Sequence, residues 1–408
     1  MTETTEKEDL SKRKMMTDCD IVLMIPGRCD HTADADWKQN IRTSPETEFL
    51  IDAIKKNVGL EMSRDAQDAI QRYNLGTASL RFNPDMDMPR KDTFTKRNVS
   101  LMLAHHKSTG LCVLEIYITD SNDGVQMLEC YGNDAVDIRP KGRDKFIPME
   151  EFLGTELKIK VTGLKRSAVF AYGDPSEQEC AHCIANELTP HDGDVQGVLL
   201  DKVRHQDRSQ YSGSRTYASA TTLLEVMTMG DKPEDVRDRI DYQTSEIYFV
   251  EQILLRDASA TDIADKLNGL SDRIETMKAK DIKEALTKID VAYSRSIALY
   301  KVSLFKWATV HEELRLLSED LGVPVIEERN RNNKSILESL QRSVEAKEKE
   351  RSDKLKNGFL LAITGMTLIE TLYTALTNFF SRNMVYYSSV LIVLGAFLIY
   401  VVVKKHRE

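Results

Sequence analysis

Five polar side chains recur at alternating intervals of three and four residues in an apolar stretch close to the C-terminal end of the chain. They are Thr364, Thr367, Thr371, Thr374 and Asn378, with Glu370 beside them. This spacing places them on one narrow face of a helix. A polar stripe with a carboxyl group is costly against lipid, but identical helices can turn it toward water along a common axis. The pattern predicts a pore wall or, as the alternative, a packing face whose threonines bond carbonyl groups of their own helix.

The same register continues toward the N-terminus through four further positions. These are Leu360, Asn357, Asp353 and Glu350. In a ring of subunits the two acids would form rings that attract cations, and Leu360 would form an apolar constriction. The alternative for the two acids is a solvated, charged helix, because they lie in the segment EAKEKERSDKLK.

A second group of chemically active side chains lies in the polar segment RHQDRSQYSGSRTY, residues 204–217. Arg204, Arg208 and Arg215 could hold a nucleotide phosphate, and Tyr211 could stack on its base. The alternative is a solvated connection between domains, because segments rich in Ser, Gly and Asp are most often loops.

The one metal-like spacing is CAHC, with Cys180 and Cys183, followed by His191. A zinc site normally needs two such ligand pairs, and the second pair is not visible, so we predict no metal site. The six cysteines are predicted to be reduced thiols. The chain contains no Gly-rich phosphate loop, no G-x-S-x-G and no H-E-x-x-H. We therefore predict that the protein is not an enzyme.

Two apolar segments near the C-terminus match the thickness of a bilayer. They are Gly358–Phe380, with 23 residues and one charge, and Val385–Val403, with 19 residues and none. Lysines and arginines flank the pair on both outer sides, whereas the connecting Ser381–Met384 holds only Arg382. The positive-inside rule then predicts a multi-pass protein of the inner (plasma) membrane with both termini in the cytoplasm.

The segment before these spans is predicted to be helical. Thr216–Met229, Pro233–Leu255 and Thr261–Met277 read as helices that are separated by polar breaks. Apolar residues from Ile282 to Leu321 then follow one alternating register of four and three residues. The sequence Gly322–Pro324 ends that helix, and a final helix is expected from Val325 into the first span, as far as Phe380.

The N-terminal part has short, β-branched runs bounded by turn residues, which predict strands. They are Cys19–Pro26, Thr77–Asn83, Val99–His105, Leu111–Ile118, Val125–Gly132, Glu156–Gly163 and Ser167–Gly173. Helical patterns occupy Glu46–Lys56, Ser63–Tyr73 and Ser176–Leu188. Several strands follow one another without room for a crossover helix, so hairpins are expected in an α/β or α+β domain.

The predicted fold class is an α+β cytoplasmic domain followed by a long helical stalk and two C-terminal transmembrane helices. The predicted divisions are a mobile tail (1–17), an α/β sensor domain (18–200), a helical stalk (201–357), the two spans (358–403) and a basic tail (404–408). The net charge of −9 argues against direct nucleic-acid binding, because neutralising phosphates requires an excess of Lys and Arg.

This order of domains resembles the CorA magnesium-transporter family. The family's Gly-Met-Asn signature at the outer end of the first span is replaced by SRNM (Ser381–Met384), and the chain's GMT (Gly365–Thr367) lies mid-span. These departures resemble the divergent CorA-like branch of type III CRISPR systems. The resemblance implies a membrane effector in antiviral defence, opened by a nucleotide second messenger (SAM-AMP), with a homo-oligomer that is pentameric in the parent family.

Three functions remain open at this point. The first is an oligomeric, ligand-gated, cation-conducting channel in a lipid bilayer. The second is a CorA-type transporter of a divalent cation such as Mg²⁺. The third is a membrane-anchored signalling protein without a pore.

Overall fold

The computed structural model describes residues 16, 18–29, 48, 50–56, 69–83, 95–187, 195, 197–209, 211–228, 232–274, 276–277, 279–300, 308–379 and 395. The chain forms two compact units. The first comprises residues 1–272 with 288–335, and the second comprises residues 273–287 with 336–408.

Ten strands of the first unit form one mixed sheet. They are β1 (Cys19–Cys29), β2 (Ile70–Phe82), β3 (Thr95–His106), β4 (Leu111–Ser121), β5 (Val136–Pro140), β6 (Ile147–Pro148), β7 (Ile159–Val161), β8 (Arg166–Tyr172), β9 (Ser214–Ala218) and β10 (Thr222–Met227). Their spatial order is β6-β5-β2-β3-β4-β1-β8-β10-β9, and β7 also pairs with β1. Among these strands β8 and β10 run parallel, and the other pairs are antiparallel.

The described residues also form α-helices, which belong to one or both of the two units. They are α1 (50–56), α2 (Gly124–Gly132), α3 (Glu177–Ala185), α4 (Val198–His205), α5 (Val236–Ser271), α6 (Ala279–Ser296), α7 (Ala308–Asp320) and α8 (Val323–Phe379). A helical turn at Met149–Glu151 leads into a π-helix at Phe152–Glu156, and a 3₁₀ turn at Ile297–Tyr300 follows α6. Ser176 begins α3 with a capping box, in which its hydroxyl accepts the Glu179 N–H at 3.2 Å.

The central strands are buried on both faces, which explains their nearly continuous apolar sequence. In β1, Ile21 and Leu23 face a core that is closed by α2, α3, α4 and the π-helix. Val22 and Met24 face the opposite core, which is closed by α1, α5, α7 and the start of α8. The first unit is therefore a sheet between two helical layers.

The N-terminal strand predictions are confirmed for β1, β2, β3, β4 and β8, and the predicted helix Ser176–Leu188 is confirmed as α3. The predicted strand Glu156–Gly163 is shortened to β7, and the predicted helix Ser63–Tyr73 is wrong because Ile70–Tyr73 belongs to β2. Two further predictions are also wrong. Val125–Gly132 is the helix α2, whose buried Val125, Leu128 and Tyr131 recur at helical intervals. The predicted helix Thr216–Met229 is instead the hairpin of β9 and β10, because Thr, Tyr and Val in this segment fill a pleated, buried surface.

The helical break predicted between Leu255 and Thr261 is also wrong, because α5 runs without interruption through 36 residues. Asp257, which resembles a cap in the sequence, lies within the helix and serves a tertiary contact. Its carboxylate accepts the Leu164 N–H at 2.9 Å and pairs with Arg329 at 2.8 Å. By contrast, α8 begins at Val323, just after Gly322 with its left-handed φ of 77°, close to the predicted start at Val325.

The membrane-related predictions require correction. In the part of the chain that the structure describes, no helix is long and apolar enough to cross a membrane. The two transmembrane helices of the predicted fold class, the ion-channel and ion-transport assignments and the multi-pass inner-membrane location are therefore wrong. In the first predicted span, Gly358–Phe380, recurrent threonines and Glu370 interrupt the apolar sequence of α8. The second, Val385–Val403, lies outside the described residues except for Gly395.

Candidate ligand-binding site

A pocket of about 310 Å³ lies where the parallel strands β8 and β10 end, beside the first turns of α5. The carboxyl ends of parallel strands are the usual location of ligand sites in α/β sheets. The lining residues come from these three elements and the segment before α5. They are Phe170, Tyr172, Gly173, Glu225, Met227, Lys232, Pro233, Arg239, Tyr242 and Gln243.

Glu225 is the buried acid of this pocket. It lies on β10 between Phe170 of β8 and Thr216 of β9 in the sheet register, and 9% of its surface is exposed. Its Oε2 atom has no hydrogen-bond partner among the residues that the structure describes. Burial disfavours the charged carboxylate, and the neighbouring Glu313 adds like charge, so the pKa of Glu225 is raised to about 8.

Glu313 connects this acid to α7. It is buried, and its Oε1 accepts a hydrogen bond from the Thr216 hydroxyl at 3.2 Å. Glu225, Thr216 and Glu313 therefore lie together where α7 covers the edge of the sheet. A change in the charge of Glu225 therefore changes the electrostatic energy of the Glu313 side chain on α7.

The opposite wall of the pocket holds paired charges. Arg239 Nη1 lies 2.9 Å from Asp120 Oδ1, and its Nε lies 3.2 Å from Asp20 Oδ2. Lys232 Nζ lies 2.7 Å from Asp120 and 2.5 Å from Asp18. The hydrogen bond from Arg239 lowers the pKa of Asp120 below its usual range. Three carboxylates against two cations leave this wall with a net charge of −1.

Other polar atoms of this wall also have partners, although the Nε of Arg239 lies near Asp20 without forming a hydrogen bond. The Tyr172 hydroxyl donates to Asp20 Oδ2 at 2.9 Å. Gln243 Nε2 donates to the same oxygen at 3.0 Å and to the Tyr172 hydroxyl at 2.8 Å. Lys232 also lies over the Tyr172 ring, 4.9 Å from its centroid. Glu225 is consequently the charged residue of the lining that offers an unpartnered buried oxygen.

A second buried carboxyl cluster lies under α5, and we call it the closed cluster: Arg72, Glu115, Tyr117 and Glu251. Arg72 binds both oxygens of Glu251, with Nη2 to Oε1 at 2.6 Å. The Oε2 of Glu115 accepts a hydrogen bond from the Tyr117 hydroxyl at 3.0 Å, whereas its Oε1 has no hydrogen-bond partner among the described residues. Burial, followed by the Glu251 charge, raises the pKa of Glu115 well above its usual range. This cluster therefore holds a neutral acid beside an ion pair.

The residues predicted to line a pore all belong to α8. Glu350, Asp353, Asn357, Leu360, Thr364, Thr367, Glu370, Thr371 and Thr374 are exposed, and the side chain of Asn378 lies outside the described residues. The threonine hydroxyls donate to carbonyl groups one turn earlier, for example Thr364 to Leu360 at 2.8 Å and Thr371 to Thr367 at 2.7 Å. Such hydrogen bonds are expected from the alternative prediction for the stripe, a packing face whose threonines bond carbonyl groups of their own helix.

The predicted nucleotide-binding arginines each face a different carboxylate. Arg204 pairs with Glu177 at 2.8 Å, Arg208 with Asp320 at 2.9 Å and Arg215 with Asp174 at 2.8 Å. Tyr211 is exposed. Carboxylates of the chain itself therefore neutralise the arginines that were predicted to bind a phosphate.

Cys180 and Cys183 are buried free thiols of α3, and burial raises the pKa of both. Within the described ranges, no group of three or more His, Cys, Asp or Glu side chains could hold a metal ion. His191 lies outside the described residues.

Sequence reasoning missed Glu225 because its segment was interpreted as a helix. The available signal was an acid inside the otherwise apolar run TLLEVM, which is typical of a strand buried on both faces. Comparisons with protein-family models, curated proteins and solved structures found no match to this chain. The resemblance to CorA, the CRISPR branch and the nucleotide messenger therefore stay predictions.

Proposed function

We propose that this protein is a small-molecule sensor in which a ligand bound at Glu225 changes the contact between the sheet and α7. The observation that carries the proposal is the unpartnered Oε2 of a buried carboxyl group that lines a pocket. A buried polar atom without a partner costs about 1–3 kcal/mol. A ligand that supplied the missing partner would recover that free energy on binding.

The closed cluster supports a binding role for Glu225. The same layer of the fold contains two other buried acids: Glu251 is bound by Arg72, and Glu115 accepts one hydrogen bond from Tyr117 although its Oε1 also lacks a partner among the described residues. The fold can therefore place a cation against a buried carboxyl cluster where only stability is required, whereas Glu225 has no such ion pair in the described part of the chain and lines a pocket. Perturbed and incompletely partnered acids in pockets are typical of functional sites.

The position of α7 supports a sensing role. Polar contacts join the C-terminal end of α7 to the sheet layer: Lys202 and Arg208 pair with Asp320, and Arg166 donates to the Leu321 carbonyl at 3.3 Å. After Gly322 the chain continues as α8, a helix of 57 residues. A change in the charge of Glu225 changes the electrostatic energy of Glu313 on α7, the helix that precedes α8 in the chain.

The pocket favours binding over turnover. Of the other titratable side chains of its wall, Tyr172, Lys232 and Arg239 are engaged with carboxylates, and Tyr242 is exposed. One buried acid beside an exposed phenol, without a nucleophile and a base held together, does not form a catalytic set. We therefore expect ligands to bind at this site without chemical conversion.

The test is a fragment screen by NMR with the full chain, followed by hydrogen–deuterium exchange. Fragments that compete for one site should lose binding in Tyr242→Ala, which removes an aromatic wall, and keep it in Tyr211→Ala, an exposed tyrosine elsewhere in the chain. A bound fragment should change the exchange rate of residues 308–320. A screen without any fragment at this pocket, or binding that leaves these exchange rates unchanged, contradicts the sensor.

Self-association is a second part of the proposal. On α8, apolar side chains are exposed around the helix, including Phe359 at 70%, Leu361 at 66% and Met366 at 64%. Contiguous exposed apolar side chains mark sites of interaction with another molecule. We propose that a second copy of the chain covers this segment, as the predicted homo-oligomer requires.

Light scattering over a range of concentrations tests the association. The double variant Phe359→Gln with Leu361→Gln should lower the mass, whereas the charged-face variant Glu350→Gln should not. A wild-type mass equal to that of one chain at every concentration would exclude self-association.

A further inference from the structure

We infer that the Glu225 pocket takes a small organic cation, an amine, amidine or guanidine, whose charged nitrogen pairs with the Glu225 carboxylate. The inference deepens the proposed function and rests on it. The unpartnered Oε2 of Glu225 is an acceptor that such a nitrogen can satisfy with a charge-assisted hydrogen bond.

The charge around the pocket favours a cation. Lys232 and Arg239 are the cations of the lining, and Asp18, Asp20 and Asp120 more than neutralise them. With Glu225 ionised, this set carries a net charge of −2. An anionic ligand would enter a region of like charge without an uncompensated cation to receive it.

The size and walls of the pocket favour an organic ion over a metal ion. A volume of about 310 Å³ is at the small end of ligand pockets. Phe170, Met227 and Tyr242 supply apolar and aromatic walls, and aromatic faces attract organic cations. Metal ions need more ligands than Glu225 and Glu313 supply, and the described residues contain no metal-holding group of three.

Binding should displace a proton from Glu225. The groups that face this carboxyl are Glu313 on α7, Thr216 on β9, Tyr172 after Phe170 on β8, Arg239 on α5 and Lys232 before α5. With a pKa of about 8, Glu225 is largely protonated at pH 7. The cation and the carboxylate form the pair, and the proton leaves to the buffer.

Three probes with the same ring test the inference by isothermal titration calorimetry on the full chain. Benzamidine is the cation, benzamide its neutral isostere and benzoate the anion. We expect benzamidine to bind at least about tenfold more tightly than the other two, since a charged hydrogen bond is worth about 1.5–3 kcal/mol. Glu225→Gln should weaken benzamidine by about tenfold, whereas Glu115→Gln in the closed cluster should leave its affinity unchanged.

The proton provides a second measurement that does not depend on a variant. Titrations at pH 7 in buffers of different ionisation enthalpy should show release of about 0.9 proton per benzamidine, and at pH 9.5 release should be close to zero. These values follow from the raised pKa of Glu225.

Each other result is decisive. If benzamide or benzoate binds as tightly as benzamidine, or if Glu225→Gln leaves benzamidine binding intact, the cation inference is wrong and the sensor stands. If no probe binds but the fragment screen finds neutral or anionic ligands at this pocket, the inference again fails alone. If neither probes nor fragments bind there, the sensor fails as well.

Discussion

Two buried carboxyl clusters of the first unit differ in that an arginine forms an ion pair with one of them, whereas the other lies beside a pocket and has no such pair among the described residues. In the closed cluster, Arg72 binds both oxygens of Glu251, and Glu115 is neutral beside them. At the pocket, Glu225 and Glu313 are buried together, and the Oε2 of Glu225 lacks a partner in the described part of the chain. Each cluster thus holds one acid of raised pKa, Glu115 or Glu225, and the closed cluster also holds an ion pair.

The comparison shows how a protein core can bury an acid that has no ion-pair partner. A buried carboxylate is stable only when a cation or several hydrogen-bond donors replace the interactions that it loses with water. Where a cation is present, as in the closed cluster, one acid is ionised in an ion pair and its neighbour Glu115 is held protonated. Where no cation pairs with the carboxyl group, Glu225 is held protonated beside a pocket and is available to a ligand.

The largest expected effect comes from removing the cation of the closed cluster. Arg72→Met keeps the side-chain volume and leaves Glu251 buried without its ion pair, so we expect a loss of about 3–5 kcal/mol in the free energy of unfolding. Urea denaturation measures the loss. The matched control is Arg143→Met, which breaks a solvated pair with Glu156 and should cost less than about 1 kcal/mol. Equal losses in both variants would show that the closed cluster is not a framework element.

The second effect has the opposite sign. The pKa of Glu225 rises from an ordinary value of 4.5 to about 8 on folding, so the native state retains a proton that the unfolded state has lost in this pH window. Wild-type stability therefore falls as pH rises from 4.5 to 8. Glu225→Gln does not titrate, and its advantage over the wild type should grow from near zero at pH 5 to about 2–4 kcal/mol at pH 9. Parallel pH profiles of the two proteins, measured by urea denaturation, would contradict the raised pKa.

A third change converts the open site toward the closed one. Met227 lines the pocket two residues after Glu225 on the same face of β10. Met227→Lys supplies a cation, so the pKa of Glu225 should fall by about 1–3 units and benzamidine should bind more weakly. The pH profile of stability and calorimetry measure the two effects. Met227→Gln, of similar length and no charge, should leave the pH profile unchanged and weaken benzamidine less than Met227→Lys does, since it alters only the apolar wall; an equal effect of Gln and Lys would point to packing rather than charge.

The smallest effect is expected inside the closed cluster itself. Glu115 is held neutral there, so Glu115→Gln replaces one uncharged hydrogen-bonding group by another. We expect a change below about 1 kcal/mol in the free energy of unfolding and no dependence on pH between 6 and 9. A loss that grows with pH would mean that Glu115 carries charge in the native protein.

Local sequence signals were sufficient where one element dominates its own pattern. The apolar runs of β1 and β4 and the helical pattern Ser176–Leu188 indicated their elements correctly. Such signals failed where the same residues suit two elements. The segment Thr216–Met229 contains an apolar pattern that is compatible with a helix. In the structure it forms β9 and β10, and β10 pairs with the distant β8.

The candidate site was less predictable because it depends on long-range pairing. Arg204, Arg208 and Arg215 form a conspicuous cluster in the sequence, yet acids far along the chain compensate them. Glu225 has no local signature, since its environment comes from residues 88 positions away on α7 and from the parallel β8. Burial of a charge is a property of the assembled core and not of a sequence window.

By itself, the sequence determined the strand-rich N-terminal region, the stop at Gly322 and the long final helix, because short-range periodicity and turn chemistry act within a few residues. The tertiary structure alone decided which charges are compensated. Glu251 meets Arg72 from a strand 179 positions away, whereas Glu225 meets another acid. Electrostatic energies depend on distance and burial in three dimensions, and the linear order of residues specifies neither.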